Sequence, residues 1–515
     1  MANASPPVAV EAAPVQAGPP PKSKVRSAIG WSYVLTAGRV GSSIVVTFLL
    51  AMLLGPDEFG ILTMALVLVM IAQTILQQGL VSAIVQRDKL TGAHLDAAFG
   101  VLAIAGFGVA ALVAAISPLW ALMYREPRLT LVCVALAPLV LMQGLATVPE
   151  AVLRRELQFR AVAIRTLLAA VLSGVVGIAL AVAGAGIWAL VAQQLVNALI
   201  GLIVLWIVCP WRPSRRIRLG AIRELWTFSL HSANAGLGVL LSNRADLIFT
   251  GLFFGPIATG IYRLAARLPD MLVDVTVRSL QQVALPSLSR HQNDRTAFVN
   301  HLVQLQHLGA IVGLPVLGVL AATAGPLVGF LGPQWAGTEV PLQVLCLFGA
   351  VNVYGVLLGP ALQAIGQPGK LAAISWARGL LGVATFAALG TLFGSANPAA
   401  QATAIAMAGV CLQVVVNAVS IWVTVRRAAG ASVLRFLLPT LPAVVAATAA
   451  ALVPYGLNRL GADELPPLVG VMVLGAAGGL TAAAILWTTD RRVRDLVRKR
   501  LPRRFRRPSH PPRSA

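Results

Sequence analysis

Apolar residues in this chain come in long blocks, with neither the alternation of half-buried strands nor the one-sided stripe of surface helices. A helix that crosses a bilayer needs about 20 mostly apolar residues. Runs of that kind fall at 29–53, 60–85, 97–123, 129–150, 161–184, 187–209, 225–254, 256–285, 302–324, 340–366, 371–394, 402–425, 433–453 and 466–488. The pattern predicts an all-α membrane protein with about fourteen transmembrane helices between residues 29 and 488. The seventh and eighth runs stand apart because they carry charges.

Composition agrees. Of 515 residues, 57% are hydrophobic and 11% charged, against about 25% charged in a soluble domain. The apolar surplus must face lipid. The 47 glycines and 32 prolines suit membrane helices, where neighbouring helices satisfy freed backbone groups. A net charge of +22 in a soluble chain would suggest nucleic acid, but here its location decides otherwise. Cytoplasmic loops are enriched in Lys and Arg. With the N-terminus placed inside, the inside segments hold thirty of the 40 basic residues. The outside loops hold Arg125, Arg128 and Arg459, with Asp57, Glu58, Glu126, Glu339, Asp463 and Glu464. Both termini are therefore expected in the cytoplasm. The basic tail 489–515 reads as a solvated segment drawn to anionic lipid, not as a nucleic-acid site.

Residues 1–28 read as a disordered cytoplasmic tail. No cleavable signal peptide is expected; Lys22, Lys24 and Arg26 precede a first span that serves as an uncleaved anchor. Cys133, Cys209, Cys346 and Cys411 lie in or beside apolar runs without metal-ligand spacing and read as small hydrophobes. No metal or cofactor is expected.

Two internal echoes organise the spans. Leu53-Leu54-Gly55-Pro56-x-x-x-Gly60 is matched by Phe253-Phe254-Gly255-Pro256-x-x-x-Gly260. Gln193-x-x-x-Asn197-Ala198 is matched by Gln413-x-x-x-Asn417-Ala418. Both map span n onto span n+6, so the halves share one membrane orientation and are related by an axis along the membrane normal. This predicts an N-lobe at 29–209, a basic cytoplasmic linker at 210–224 and a C-lobe at 225–425. The two six-helix lobes enclose a central cavity, and two added helices lie within 433–488.

Ionisable groups inside a bilayer are costly and are candidates for function. Seven arginines fall within spans: Arg39, Arg165, Arg244, Arg263, Arg267, Arg278 and Arg378. Asp246, Asp270 and Asp274 are the deep acids; Glu150 and Arg165 lie near cytoplasmic ends, within reach of water by snorkelling. In the eighth span, Arg263, Arg267, Asp270, Asp274, Arg278 and Gln281 fall within roughly an 80° arc at about 100° per residue. One reading is a self-neutralising ladder of Arg263–Asp270, Arg267–Asp270 and Asp274–Arg278 pairs. The other is an anion site, since arginine exceeds aspartate and grips phosphate or carboxylate bidentately. His231, Ser242 and Asp246 share a face of the seventh span, with Arg244 on another. No catalytic constellation or nucleotide-binding P-loop is present, and the outside loops are short, so an enzyme is not expected.

An ensemble of motifs carries a resemblance over about residues 25–430. It comprises Leu53-Leu54-Gly55-Pro56-Asp57-Glu58-Phe59-Gly60; Pro149 followed by Leu153-Arg154-Arg155-Glu156-Leu157-x-Phe159-Arg160; Gly186-Ile187-Trp188-Ala189-Leu190-Val191-x-Gln193-Gln194; and Phe254-Gly255-Pro256-x-x-x-Gly260-Ile261-Tyr262 with Leu285-Pro286-x-Leu288-Ser289-Arg290. The chain resembles the polysaccharide transporter family, the Wzx-type oligosaccharide flippases of the multidrug/oligosaccharidyl-lipid/polysaccharide superfamily. The resemblance implies a multi-pass protein of the bacterial inner membrane. It would flip polyprenyl-diphosphate oligosaccharide units to the outer leaflet by alternating access, for O-antigen, capsule or exopolysaccharide, beside glycosyltransferases and a polymerase. Arg39, Arg263, Arg267, Arg278 and Arg378 are then expected to face the diphosphate, with Asp246, Asp270 and Asp274 balancing charge or coupling an ion. A charge at Arg263, beside Tyr262, departs from the neutral polar residue expected in many relatives. A multidrug exporter of the same superfamily, a peptidoglycan-precursor flippase, a membrane enzyme of envelope assembly and a non-transporting scaffold are the alternatives. The arginine excess speaks against the exporter and the short loops against the enzyme.

Overall fold

A computed structural model describes residues 38, 41–86, 92–156, 158–213, 219–459, 465–490 and 493–494. Its long helices are α1 (Gly41–Leu53), α2 (Pro56–Gln86), α3 (Gly92–Tyr124), α4 (Arg128–Arg154), α5 (Phe159–Val182) and α6 (Ile187–Val208). α7 (219–254) and α8 (from 256) follow, then α9 (Arg295–Ala322), α10 (Glu339–Ala364), α11 (Pro368–Leu392), α12 (Pro398–Ile421), α13 (Leu441–Arg459) and α14 (Pro467–Thr489). Among the described residues, 12 segments are long and apolar enough to cross a membrane. One of them, Arg244–Val277, contains the α7–α8 junction, and α1 is a shorter apolar helix beside them, so the expected fourteen spans are accounted for.

α7 and α8 meet without a loop. The break is Gly255, with φ 79° and ψ −171°, a backbone region open to glycine almost alone. Pro256 then starts α8, where a missing N–H matters least. The helix continues through a π-helical turn, Asp274–Arg278, into Ser279–Ser289. A second π-helical turn, Trp422–Ala428, ends α12.

α1–α6 and α7–α12 form two lobes, joined mainly by α2 packing along the α7–α8 hairpin. The first echo sits at this joint. A Cβ at Gly60 would strike the Pro256 carbonyl, and a Cβ at Gly260 would strike the Pro56 carbonyl. The two motifs thus cross each other reciprocally, as a two-fold axis requires of an isologous contact. α7 and α11 pack in parallel: Gly238 meets Trp376, Ser242 meets Gly379 and Phe253 meets Gly390 in the same order along both. Odd-numbered spans must run that way. The second echo is less symmetrical. Asn197 Nδ2 donates to Ser173 Oγ on α5 at 3.1 Å, whereas Asn417 Nδ2 donates to the Val351 carbonyl on α10 at 2.6 Å.

Further contacts close the lobes at the expected outer end. Trp335 is fully buried, stacks edge-on against Phe59 and donates its indole N–H to the Ala51 carbonyl at 2.7 Å. Tyr124 Oη donates to the Ile248 carbonyl at 3.2 Å. Within the first lobe, Arg128 binds both carboxylate oxygens of Asp57 at 2.7 and 3.1 Å and of Glu126 at 2.8 and 3.1 Å. That guanidinium holds the Glu126 carboxyl below the usual range. At the other end, Glu150 bridges Arg154 at 2.7 Å and Arg165 at 2.9 Å, so these residues pair and do more than snorkel. α13 and α14 pack against α9.

Candidate functional site

The tight α7–α8 turn brings residues at similar distances from Gly255 side by side. Asp246 lies two and a half turns before it and Tyr262 two turns after. Tyr262 Oη donates to Asp246 Oδ2 at 2.7 Å, and the Leu247 N–H donates to Oδ1 at 2.9 Å. A tyrosine hydroxyl in an apolar span needs an acceptor; here it takes the carboxylate that an arginine would otherwise claim.

Arginines surround this pair without seizing it. The charges of Arg244 and Asp270 act on Asp246, and that of Asp246 acts on Arg378 from α11. Arg263 feels Arg267, Arg244, Asp270 and Asp246. No ion pair within 4.0 Å joins Asp246 or Asp270 to an arginine among the described residues. The Arg263–Asp270 and Arg267–Asp270 rungs of the ladder are therefore not made. Arg267 reaches instead across the lobe boundary, where Nη2 donates to Ser43 Oγ on α1 at 2.6 Å. Arg244, Arg263, Arg378, Asp246 and Asp270 are each partly buried.

The eighth-span arc holds only as far as Asp274. From there the π-helical turn changes the angle per residue, so Gln281 leaves the projected face. Arg39 and the side chains of Arg278 and His231 lie outside the described residues. Arg244, which helical projection sets on a different face from Asp246, still acts on it electrostatically. Tyr262 and Ser43 are not among the site residues that spacing points to; the hydroxyl's need for a partner is the available signal for Tyr262.

Two six-helix lobes related by a pseudo-two-fold, with a charged cluster on α7, α8 and α11 of the second, define a polytopic transporter fold. The lipid II flippase MurJ, in an inward closed conformation, superimposes with a TM-score of 0.67 at 14% identity over 91% of this chain and 100% of that one. An inward-facing multidrug resistance transporter of the MATE family, in the MOP superfamily, gives 0.53 at 14% identity over 75% and 93%. At such identities the likeness is one of fold. Sequence supplies the narrower assignment: the family described as polysaccharide biosynthesis protein matches residues 49–339, and the chain belongs to it. It is 26% identical over 489 residues to the succinoglycan biosynthesis transport protein ExoT of Rhizobium meliloti (strain 1021), covering 92% of this chain and 96% of that protein. It is 25% identical to the lipopolysaccharide biosynthesis protein WzxC of Escherichia coli (strain K12), over 67% and 70%. The teichuronic acid biosynthesis protein TuaB of Bacillus subtilis (strain 168) matches at 25% over 61% and 71%.

Proposed function

We propose that this protein flips polyprenyl-diphosphate-linked oligosaccharide units from the cytoplasmic to the outer leaflet of a bacterial inner membrane, without covalent chemistry, by alternating access. The observation that carries the reading is the unneutralised cationic set. Arg244, Arg263 and Arg378 stand near Asp246, and Arg263 near Asp270 as well, but among the described residues none of them pairs with either acid. Such a set suits a diphosphate, whose oxygens accept the bidentate bonds that arginine offers. Arg267, Arg278 and Arg39 are assigned to the same cationic lining, and Asp246, Asp270 and Asp274 to charge balance or ion coupling. The lobes act as the two bodies of the transporter, and their contacts at the α2–α8 crossing and at Trp335 form the closed outer end. Both termini then lie in the cytoplasm, beside glycosyltransferases that build the substrate, with a polymerase consuming the flipped product.

The test is deletion of the gene, scored for surface polysaccharide and for lipid-linked oligosaccharide on the cytoplasmic face. The expected result is loss of polysaccharide with accumulation of the unflipped intermediate, restored by the wild-type chain but not by Arg263→Glu or Arg267→Glu expressed at wild-type levels. Unchanged polysaccharide with raised sensitivity to cationic drugs would make the protein an exporter and overturn the reading.

A further inference from the structure

A second site lies apart from the charged one. Where α13 meets the C-lobe, an apolar groove of about 710 Å³ runs between α9, α10, α12 and α13. No residue of α7, α8 or α11 lines it. Its walls are almost entirely hydrocarbon, as at Leu317, Val414 and Val444, and Val414 and Leu347 are open to the surroundings. The polar side chains there are engaged within the protein. Tyr354 Oη shares a hydrogen bond with Thr440 Oγ1 at 3.0 Å, and Asn417 donates to the Val351 carbonyl.

One end of the groove is charged. Trp422 forms part of the wall and begins the π-helical turn Trp422–Ala428. That widened turn places the Arg427 guanidinium 4.4 Å from the Trp422 ring centroid. Stacking of this kind fixes a planar cation. Arg426 and Arg427 are both exposed at this end, which the distribution of basic residues assigns to the cytoplasmic side. A hydrocarbon slot with a fixed cation at its leaflet-surface end is complementary to one class of ligand: a lipid chain carrying an anionic phosphate head.

We propose that the groove holds an acyl chain of an anionic phospholipid from the cytoplasmic leaflet, with its phosphate on Arg427. From Gln343 to Tyr354 the α10 wall is about 16 Å long at about 1.5 Å per residue. That is about half of a hydrocarbon core roughly 30 Å thick. That no residue of α7, α8 or α11 lines the groove favours a resident phospholipid over the tail of a substrate held at the charged set. The lipid fills the seam between the C-lobe and α13. The groove would hold it whatever the charged site carries.

The experiment is native mass spectrometry of the full chain in detergent, titrated with phosphatidylglycerol, phosphatidylcholine or undecaprenyl phosphate. The expected result is one phosphatidylglycerol retained in preference to phosphatidylcholine. Its affinity should fall about fivefold in Arg427→Gln, from about 1 kcal/mol per basic residue at a membrane surface. Retention should be abolished in Ala418→Trp, which fills the groove. Arg427 is exposed, so R427Q tests the phosphate contact even if the tryptophan variant does not fold. Equal binding of the two phospholipids, an unchanged affinity in R427Q, or undecaprenyl phosphate displacing phosphatidylglycerol one for one would each overturn the proposal.

Discussion

Gly60 of α2 lies directly against the carbonyl of Pro256 of α8, with no room for a Cβ between them, and Gly260 meets Pro56 in the mirror contact. The lobes therefore touch backbone to backbone at one end of the bundle. A methyl group at either glycine forces the crossing apart, and overpacking of a tight contact costs about 1–3 kcal/mol. Gly260→Ala is expected to part the lobes there. A cysteine replacing the buried Met64, in a background without the native cysteines, should then react faster with a membrane-impermeant maleimide. Gly60→Ala together with Gly260→Ala should fall short of additive, since both act on one contact.

Tyr262 keeps Asp246 from its arginine neighbours. Tyr262→Phe removes a hydrogen bond to a carboxylate, worth about 1.5–3 kcal/mol, and frees Asp246 to pair with Arg244 or Arg378. Polysaccharide export should drop while protein abundance holds. Adding Asp246→Asn should recover part of the export, because the amide carries no charge to claim an arginine. Export as low in the double variant as in Y262F would show that the hydroxyl acts otherwise.

Glu150 serves Arg154 and Arg165 at once. Both Glu150 and Arg165 side chains are 19% exposed, so removing the carboxylate leaves a mostly buried cation without its partner. Glu150→Gln is expected to destabilise by about 3 kcal/mol, at the low end for a broken buried pair. Glu150→Gln with Arg165→Met should regain most of that loss, and melting in detergent by intrinsic fluorescence reads both.

How much of this is open to sequence reasoning depends on scale. The spans are legible because a bilayer imposes one length and one composition on each of them, and α2 through α6 begin and end within a few residues of their apolar runs. The Gly-Pro-x-x-x-Gly echo is legible as a repeat, but its reciprocal crossing is not, since contact between halves is a tertiary fact. The polar arc of α8 is legible through Asp274 only. Helical projection assumes a constant angle per residue, and the π-helical turn breaks that assumption. The charged rungs mislead for a different reason: spacing along one helix says nothing of Ser43 and Tyr262, and these take the bonds of Arg267 and Asp246.

Arg128 clasps Asp57 and Glu126 at the surface, where solvent screens it. Glu126 has a depressed pKa in the folded chain, so its contribution is present above the ordinary carboxylate pKa of about 4.3 and is lost as pH falls through the lower folded value. Arg128→Gln should lower the melting temperature slightly at pH 7 and in low salt. The difference from wild type should shrink in 1 M salt and vanish at strongly acidic pH.

Gly255 has a mechanical consequence. Other neighbouring helices are joined by longer turns, which can absorb a tilt, but α7 and α8 share a single residue. α8 carries Arg263 and Arg267, while α7 holds Tyr124 of the opposite lobe through Ile248. A displacement of α8 caused by a ligand on its charged face has no slack in which to dissipate. On the proposed reading, the hairpin is expected to act as a lever whose fulcrum is the one glycine.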